Sequence, residues 1–78
     1  MIEEKTTLEY STPDTVLASY LQSQGITMIR LDKGHVSQFI FPQPPDELLT
    51  KFFTGTAEVN LQAWFRNYKY MLKLVHGR

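Results

Sequence analysis

Asn60-Leu61-Gln62-Ala63-Trp64-Phe65-Arg66-Asn67-Tyr68-Lys69-Tyr70-Met71-Leu72-Lys73-Leu74-Val75 is the stretch around which the rest of the chain has to be arranged. Leu61, Trp64, Phe65, Tyr68, Met71, Leu72 and Val75 return at alternating spacings of three and four, the repeat of one helix face. Asn60 offers a side-chain oxygen to the first free amides, and Gly77 suits the end of the last turn. This helix holds the only Trp and the largest continuous apolar face in the sequence. Everything before it must supply a surface for that face. If Trp64 and Phe65 both lie in the core, truncating either to Ala costs ~3–5 kcal/mol.

The chain has 78 residues, enough for one domain but near the lower limit for a self-sufficient core. A hydrophobic fraction of 42%, with five Phe, four Tyr and one Trp, argues for a folded chain. Domains this small often lean on disulfides, a metal or a second subunit. Zero Cys removes the disulfides and thiolate metal sites. That leaves a compact core or self-association, so a homodimer is expected.

Working back from the last helix, Asp46 and Glu47 open a second one, with Leu48, Leu49, Phe52 and Phe53 as its apolar face. Thr54-Gly55-Thr56 ends it, and Thr56 or Asn60 starts the last helix. Pro42-Gln43-Pro44-Pro45 reads as a rigid corner, too short to link two domains. Before it, Ile26–Leu31 and Val36–Phe41 are two β-prone runs around Asp32-Lys33-Gly34-His35, where Gly34 is expected to take the positive φ of a tight hairpin. In that register Ile29 and Leu31 share a face with Phe39 and Phe41, while Met28, Arg30 and Ile40 share the other. Ser11-Thr12-Pro13-Asp14 reads as a helix start capped by Thr12 or Ser11, with Val16, Leu17, Tyr20 and Leu21 on one face and Gly25 as a left-handed stop. The first helix is therefore predicted over 13–24. Residues 1–10 read as an arm in which Thr6, Thr7, Leu8 and Tyr10 carry only a faint strand pattern, leaving 11–78 as the domain. The predicted fold is α+β, ordered α-β-β-α-α, with a β-hairpin packed against the helices.

Chemistry is sparse. His35 and His76 have no partner at metal-ligand spacing, so no metal or other cofactor is expected. The serines lack a nucleophile elbow, and the four Gly are isolated at 25, 34, 55 and 77 rather than grouped to cradle a phosphate. The carboxylate pair Glu3-Glu4 lies in the arm, and Asp46-Glu47 suits a helix start. An enzyme is not expected, nor is a small-molecule substrate. The aromatic residues are more simply core than a ligand box.

Charge is uneven although the net is zero. Lys5, Arg30 and Lys33 face seven acids in residues 1–50, whereas Lys51, Arg66, Lys69, Lys73 and Arg78 face only Glu58 in the rest. Gln62, Arg66, Lys69, Lys73 and His76 form an outer stripe on the last helix, with Tyr70 beside it. No apolar run approaches the ~18 residues of a membrane helix. Met1-Ile2-Glu3-Glu4-Lys5 is too polar for a signal peptide, so a cytoplasmic location is expected, with no membrane partner.

Leu17-Ala18-Ser19-Tyr20-Leu21 followed by Gly25, the ribbon ending Phe39-Ile40-Phe41, and Leu48 through Phe52-Phe53-Thr54-Gly55 together resemble a small uncharacterised family of bacteria, archaea and their phages. Val59, Phe65 and Tyr68-Lys69…Leu72 continue the resemblance, which spans residues 12–75. It implies a stand-alone accessory protein in a genome rich in mobile elements, and it transfers no catalytic residue. The expected function is a non-enzymatic interaction module that binds itself or another protein, with Met28, Arg30, Gln38 and Ile40 at the ribbon contact. The alternative is nucleic-acid binding through Arg66, Lys69, Tyr70 and Lys73.

Overall fold

Strand β1 (Glu9–Thr12), helix α1 (Thr15–Ser23), strands β2 (Arg30–Lys33) and β3 (Ser37–Pro42), and helices α2 (Asp46–Thr54) and α3 (Leu61–His76) follow one another in the computed structural model, which describes residues 8–76. The fold is α+β as expected, with one strand added in front. The three strands form an antiparallel sheet in the order β1-β3-β2.

That extra strand corrects the reading of the first helix start. Ser11 and Thr12 pair with Ile40 and Phe39 rather than capping a helix. A two-stranded ribbon is marginal in water, and β1 covers the edge of β3 that such a ribbon would leave open. Asp14 is the cap instead: its Oδ1 accepts from the amides of Val16 at 2.9 Å and Leu17 at 3.3 Å. Thr12 Oγ1 in turn accepts from the Asp14 amide at 3.0 Å, which ties the strand end to the helix start. Of the expected arm, Glu9 and Tyr10 belong to β1; residues 1–7, and Gly77 as the expected stop of the last helix, lie outside the described residues.

The hairpin pairs Leu31 with Phe39, which puts both on one face as their alternation predicts. Its strand β2 begins only at Arg30, however, and Ile29 is exposed rather than facing the core. Lys33 pairs with Ser37, so residues 34–36 form the loop and Val36 belongs to it. This longer loop reverses the chain without a positive φ at Gly34; the glycines with positive φ are Gly25 and Gly55. Both of those end helices as expected. After α1, Gly25 N–H donates to the Gln22 carbonyl and Ile26 N–H to that of Leu21, the paired bonds of a Schellman stop.

Phe39 and Phe41 point from β3 into the core, where they meet Leu17, Ala18, Tyr20 and Leu21 of α1 and Met71 of α3. Five consecutive residues, Leu17–Leu21, are buried, because the sheet covers one side of α1 and α3 the other. Ser19 sits in this run and donates its hydroxyl to the Thr15 carbonyl at 2.7 Å, so no polar group is stranded. Each fully buried Leu, Phe or Met side chain contributes about 1.5–3 kcal/mol.

Helix α2 docks more lightly. Leu48, Leu49 and Phe52 are half-buried against the core, the Phe52 ring lies 5.4 Å from that of Tyr20, and the Tyr20 hydroxyl donates to the Leu48 carbonyl at 3.2 Å. Phe53, expected on the same apolar face, is 66% exposed. It lies one residue round the helix from Phe52, beyond the arc that meets α1. Pro44 is fully buried at the corner before α2.

Candidate functional site

Asn60 starts α3 as its sequence position suggests, its Oδ1 accepting from the Ala63 amide at 2.9 Å. The face that α3 buries is displaced from the one its period predicts. Met71 is fully buried, with Trp64, Leu74 and Val75 packed partly against the core beside it. Leu61 is 73% exposed and Phe65 51% exposed. The expected apolar face was therefore too wide. A helix buries about the arc its neighbour can cover, and α1 reaches the Trp64-Met71-Val75 line but not the Leu61-Phe65 flank.

Two rows consequently share the open side of α3. Leu61 and Phe65 form an apolar row continued by the half-buried Tyr68 and Leu72. Arg66, Lys69 and Lys73, with Gln62 and His76, form the polar row and are all exposed. Tyr70 is exposed on the far flank of the cations. Lys69 links the two rows, its Nζ standing 5.3 Å from the centre of the Phe65 ring. Trp64 and Tyr68 stack at 5.0 Å and stiffen the inner border. Among the described residues the ion pairs are Arg30 with Glu9 and Asp32, and Lys51 with Glu47; none involves a cation of α3.

The ribbon residues present a different surface. Met28 is half-buried against the core and its amide donates to Gln22 Oε1 at 3.1 Å. Gln38 is half-buried on the central strand rather than at an edge. Ile40 is only 5% exposed, yet it lies outside the main core cluster, on the opposite face of the sheet. Arg30 stands across from it on β2, and Ser11 on β1. The Arg30 guanidinium donates to both carboxylate oxygens of Glu9, at 3.2 and 3.1 Å, and its Nε to Asp32 at 3.3 Å. This bridge crosses β3 over Ile40. Hydrogen bonding to Glu9, with the charge of that carboxylate, raises the Arg30 pKa further above its already high ordinary value. The outer strands are four residues each, and β2 is mostly charged, which blunts its edge toward a further strand.

A cleft of about 460 Å³ lies between α1, α2 and the loop before α3, lined by Tyr20, Gln24, Leu48, Lys51, Thr56 and Glu58. Three of its polar groups are engaged locally: the Tyr20 hydroxyl with the Leu48 carbonyl, the Gln24 amide with the Glu58 carbonyl at 3.3 Å, and Lys51 with Glu47 at 3.2 Å. They do not converge on a point where a substrate atom would react. Among the described residues no three His, Cys, Asp or Glu side chains gather as metal ligands. His35 and His76 are exposed in separate elements, and Asp46-Glu47 sits in the first turn of α2. No helix among the described residues is long and apolar enough to cross a membrane.

No protein-family model, curated protein or solved structure matches the chain. The exposure of Leu61 and Phe65 is the feature that periodicity missed. Its one trace in the sequence is an apolar arc wider than a single neighbouring helix covers.

Proposed function

We propose that this protein is a non-enzymatic interaction module whose contact surface is the open side of α3 rather than the ribbon edge. The observation that supports this is the exposure of Leu61 and Phe65 in one row, beside a cationic row that no described carboxylate neutralises. Large apolar side chains grouped on a surface and rimmed by polar ones are the usual mark of a protein contact. The ribbon suits the role less well, because Ile40 is already covered and the strands beside it carry Arg30, Glu9 and Asp32. Nucleic-acid contact through Arg66, Lys69, Tyr70 and Lys73 is the second reading, supported by their joint exposure at helical spacing.

The test is a peptide-display selection against the immobilised protein, repeated with Leu61→Ser/Phe65→Ser. Enriched peptides should bind the wild type and lose the variant, while the variant keeps the wild-type circular dichroism spectrum and loses no more than about 2 kcal/mol of stability. Absence of enriched peptides, or peptides indifferent to both substitutions, refutes the placement of the surface on α3.

A further inference from the structure

We infer that the partner is an acidic amphipathic helix of another protein, laid along α3 with its apolar stripe on Leu61, Phe65, Tyr68 and Leu72 and its carboxylates over Arg66, Lys69 and Lys73. The inference rests on the interaction-module reading and adds the chemistry of the occupant. The intervals Leu61-Phe65-Tyr68-Leu72 run four, three and four, the seam along which two helices interdigitate. At about 1.5 Å rise per residue, that seam spans roughly 16 Å, three turns of a partner helix. The cationic row lies alongside the seam on its solvent side, where a partner's flanking residues fall. Lys69, over the Phe65 ring, belongs to both rows. A carboxylate drawn to Lys69 is thereby held next to the apolar seam.

Charge selects among the occupants. A second copy fits poorly, because α3 has no acid and two such helices would set their cations side by side. The chain's other described carboxylates do not make a matching row. Glu9 and Asp32 hold Arg30, Glu47 holds Lys51, and Asp14 caps α1. Asp46 and Glu58 remain, one at the start of α2 and the other beyond its end. Nucleic acid would satisfy the cations, but Leu61 gives a phosphate backbone nothing to bind, and three cations are a small footprint for it. An acidic helix with an apolar stripe uses both rows.

The test is fluorescence anisotropy with labelled synthetic helical peptides titrated with the full chain. One peptide has Leu at helical spacing flanked by Glu, the second replaces each Glu by Lys, the third each Leu by Ser, and a single-stranded oligonucleotide is the fourth probe. Only the Leu/Glu peptide should bind. Its affinity should fall about ten-fold or more for Leu61→Ser/Phe65→Ser and for Arg66→Gln/Lys69→Gln/Lys73→Gln. Raising the salt should weaken binding to the wild type but change it little for the charge variant. Equal binding of the Lys peptide through Leu61 and Phe65 overturns the acidic partner and leaves the interaction-module reading standing. Binding of the oligonucleotide in place of the peptides overturns the inference in favour of nucleic acid. If no peptide binds while the display selection yields α3-dependent ligands, the helical occupant is wrong; if both fail, the module reading falls with it. A concentration-dependent rise in sedimentation coefficient that Leu61→Ser/Phe65→Ser abolishes would assign the seam to a second copy instead.

Discussion

Replacing Met71 and Leu61 by Ala separates two orientations of α3 that the sequence does not distinguish. Both residues lie on the same predicted face, yet Met71 is fully buried against α1 and the sheet while Leu61 is 73% exposed. Met71→Ala removes a side chain from a closed site and leaves a cavity, which costs about 2–5 kcal/mol. A domain of this size has a total stability of about 4–12 kcal/mol. At roughly 4–8 °C per kcal/mol, the melting temperature should fall by at least about 8 °C. Leu61→Ala removes surface that is already in water and should change stability by no more than ~0.5 kcal/mol. Phe65→Ala should fall between them, at about 1 kcal/mol or less, because half of its ring is wet and Ala favours the helix. Urea unfolding followed by circular dichroism, with the slope held common to all variants, measures the three differences. If Leu61→Ala costs as much as Met71→Ala, α3 is rotated to bury the Leu61-Phe65 row. The proposed docking surface on α3 is then refuted, because Leu61 and Phe65 are not available to a partner.

Gly55 ends α2 at φ 79° with open space around it, so Gly55→Ala should lose about 1–2 kcal/mol from backbone strain alone. Gly34→Ala, with equal room and no positive φ, should be near neutral, and equal losses in thermal melts would contradict the loop geometry. Asp14→Ala should cost about 1 kcal/mol through loss of the α1 cap, whereas Asp14→Asn should retain most of it. A comparable loss from Ser11→Ala would return the cap to the position expected from sequence. Tyr20→Phe removes the hydroxyl that holds the Leu48 carbonyl and should cost about 1 kcal/mol. Faster amide exchange should then appear in α2 before α3, and uniform exchange would show that the two helices open together.

The helices were legible wherever a local rule was sufficient. Asn60 at the start of α3, Gly25 after α1 and Gly55 after α2 each do what their position implies, because caps and stops depend on neighbours a few residues away. Less was legible at Ser11 and Thr12, whose hydroxyls suit a helix cap as well as an edge strand. Pairing with β3, some thirty residues along the chain, decides for the strand. The Glu9–Arg30 bridge over Ile40 is illegible in the sequence for a similar reason. Arg30 and Ile40 were placed on one face correctly, but the reach of Glu9 across β3 depends on β1 being there at all.

The sequence by itself determined the α+β class, the helical period of α3, the face that Leu31 shares with Phe39 and Phe41, and the row of cations on α3. These follow from periodicities of two and 3.6 residues and from turn chemistry, which act within a few residues. The third strand, the burial of Ile40 and the arc of α3 that stays in water were decided only by tertiary structure. Burial is set by which neighbour arrives and how much of an apolar face it covers. Helix α1 covers Met71 and stops short of Leu61 and Phe65, so an apolar arc that reads as core along its whole length is divided in the folded chain between a core and a solvent-exposed row.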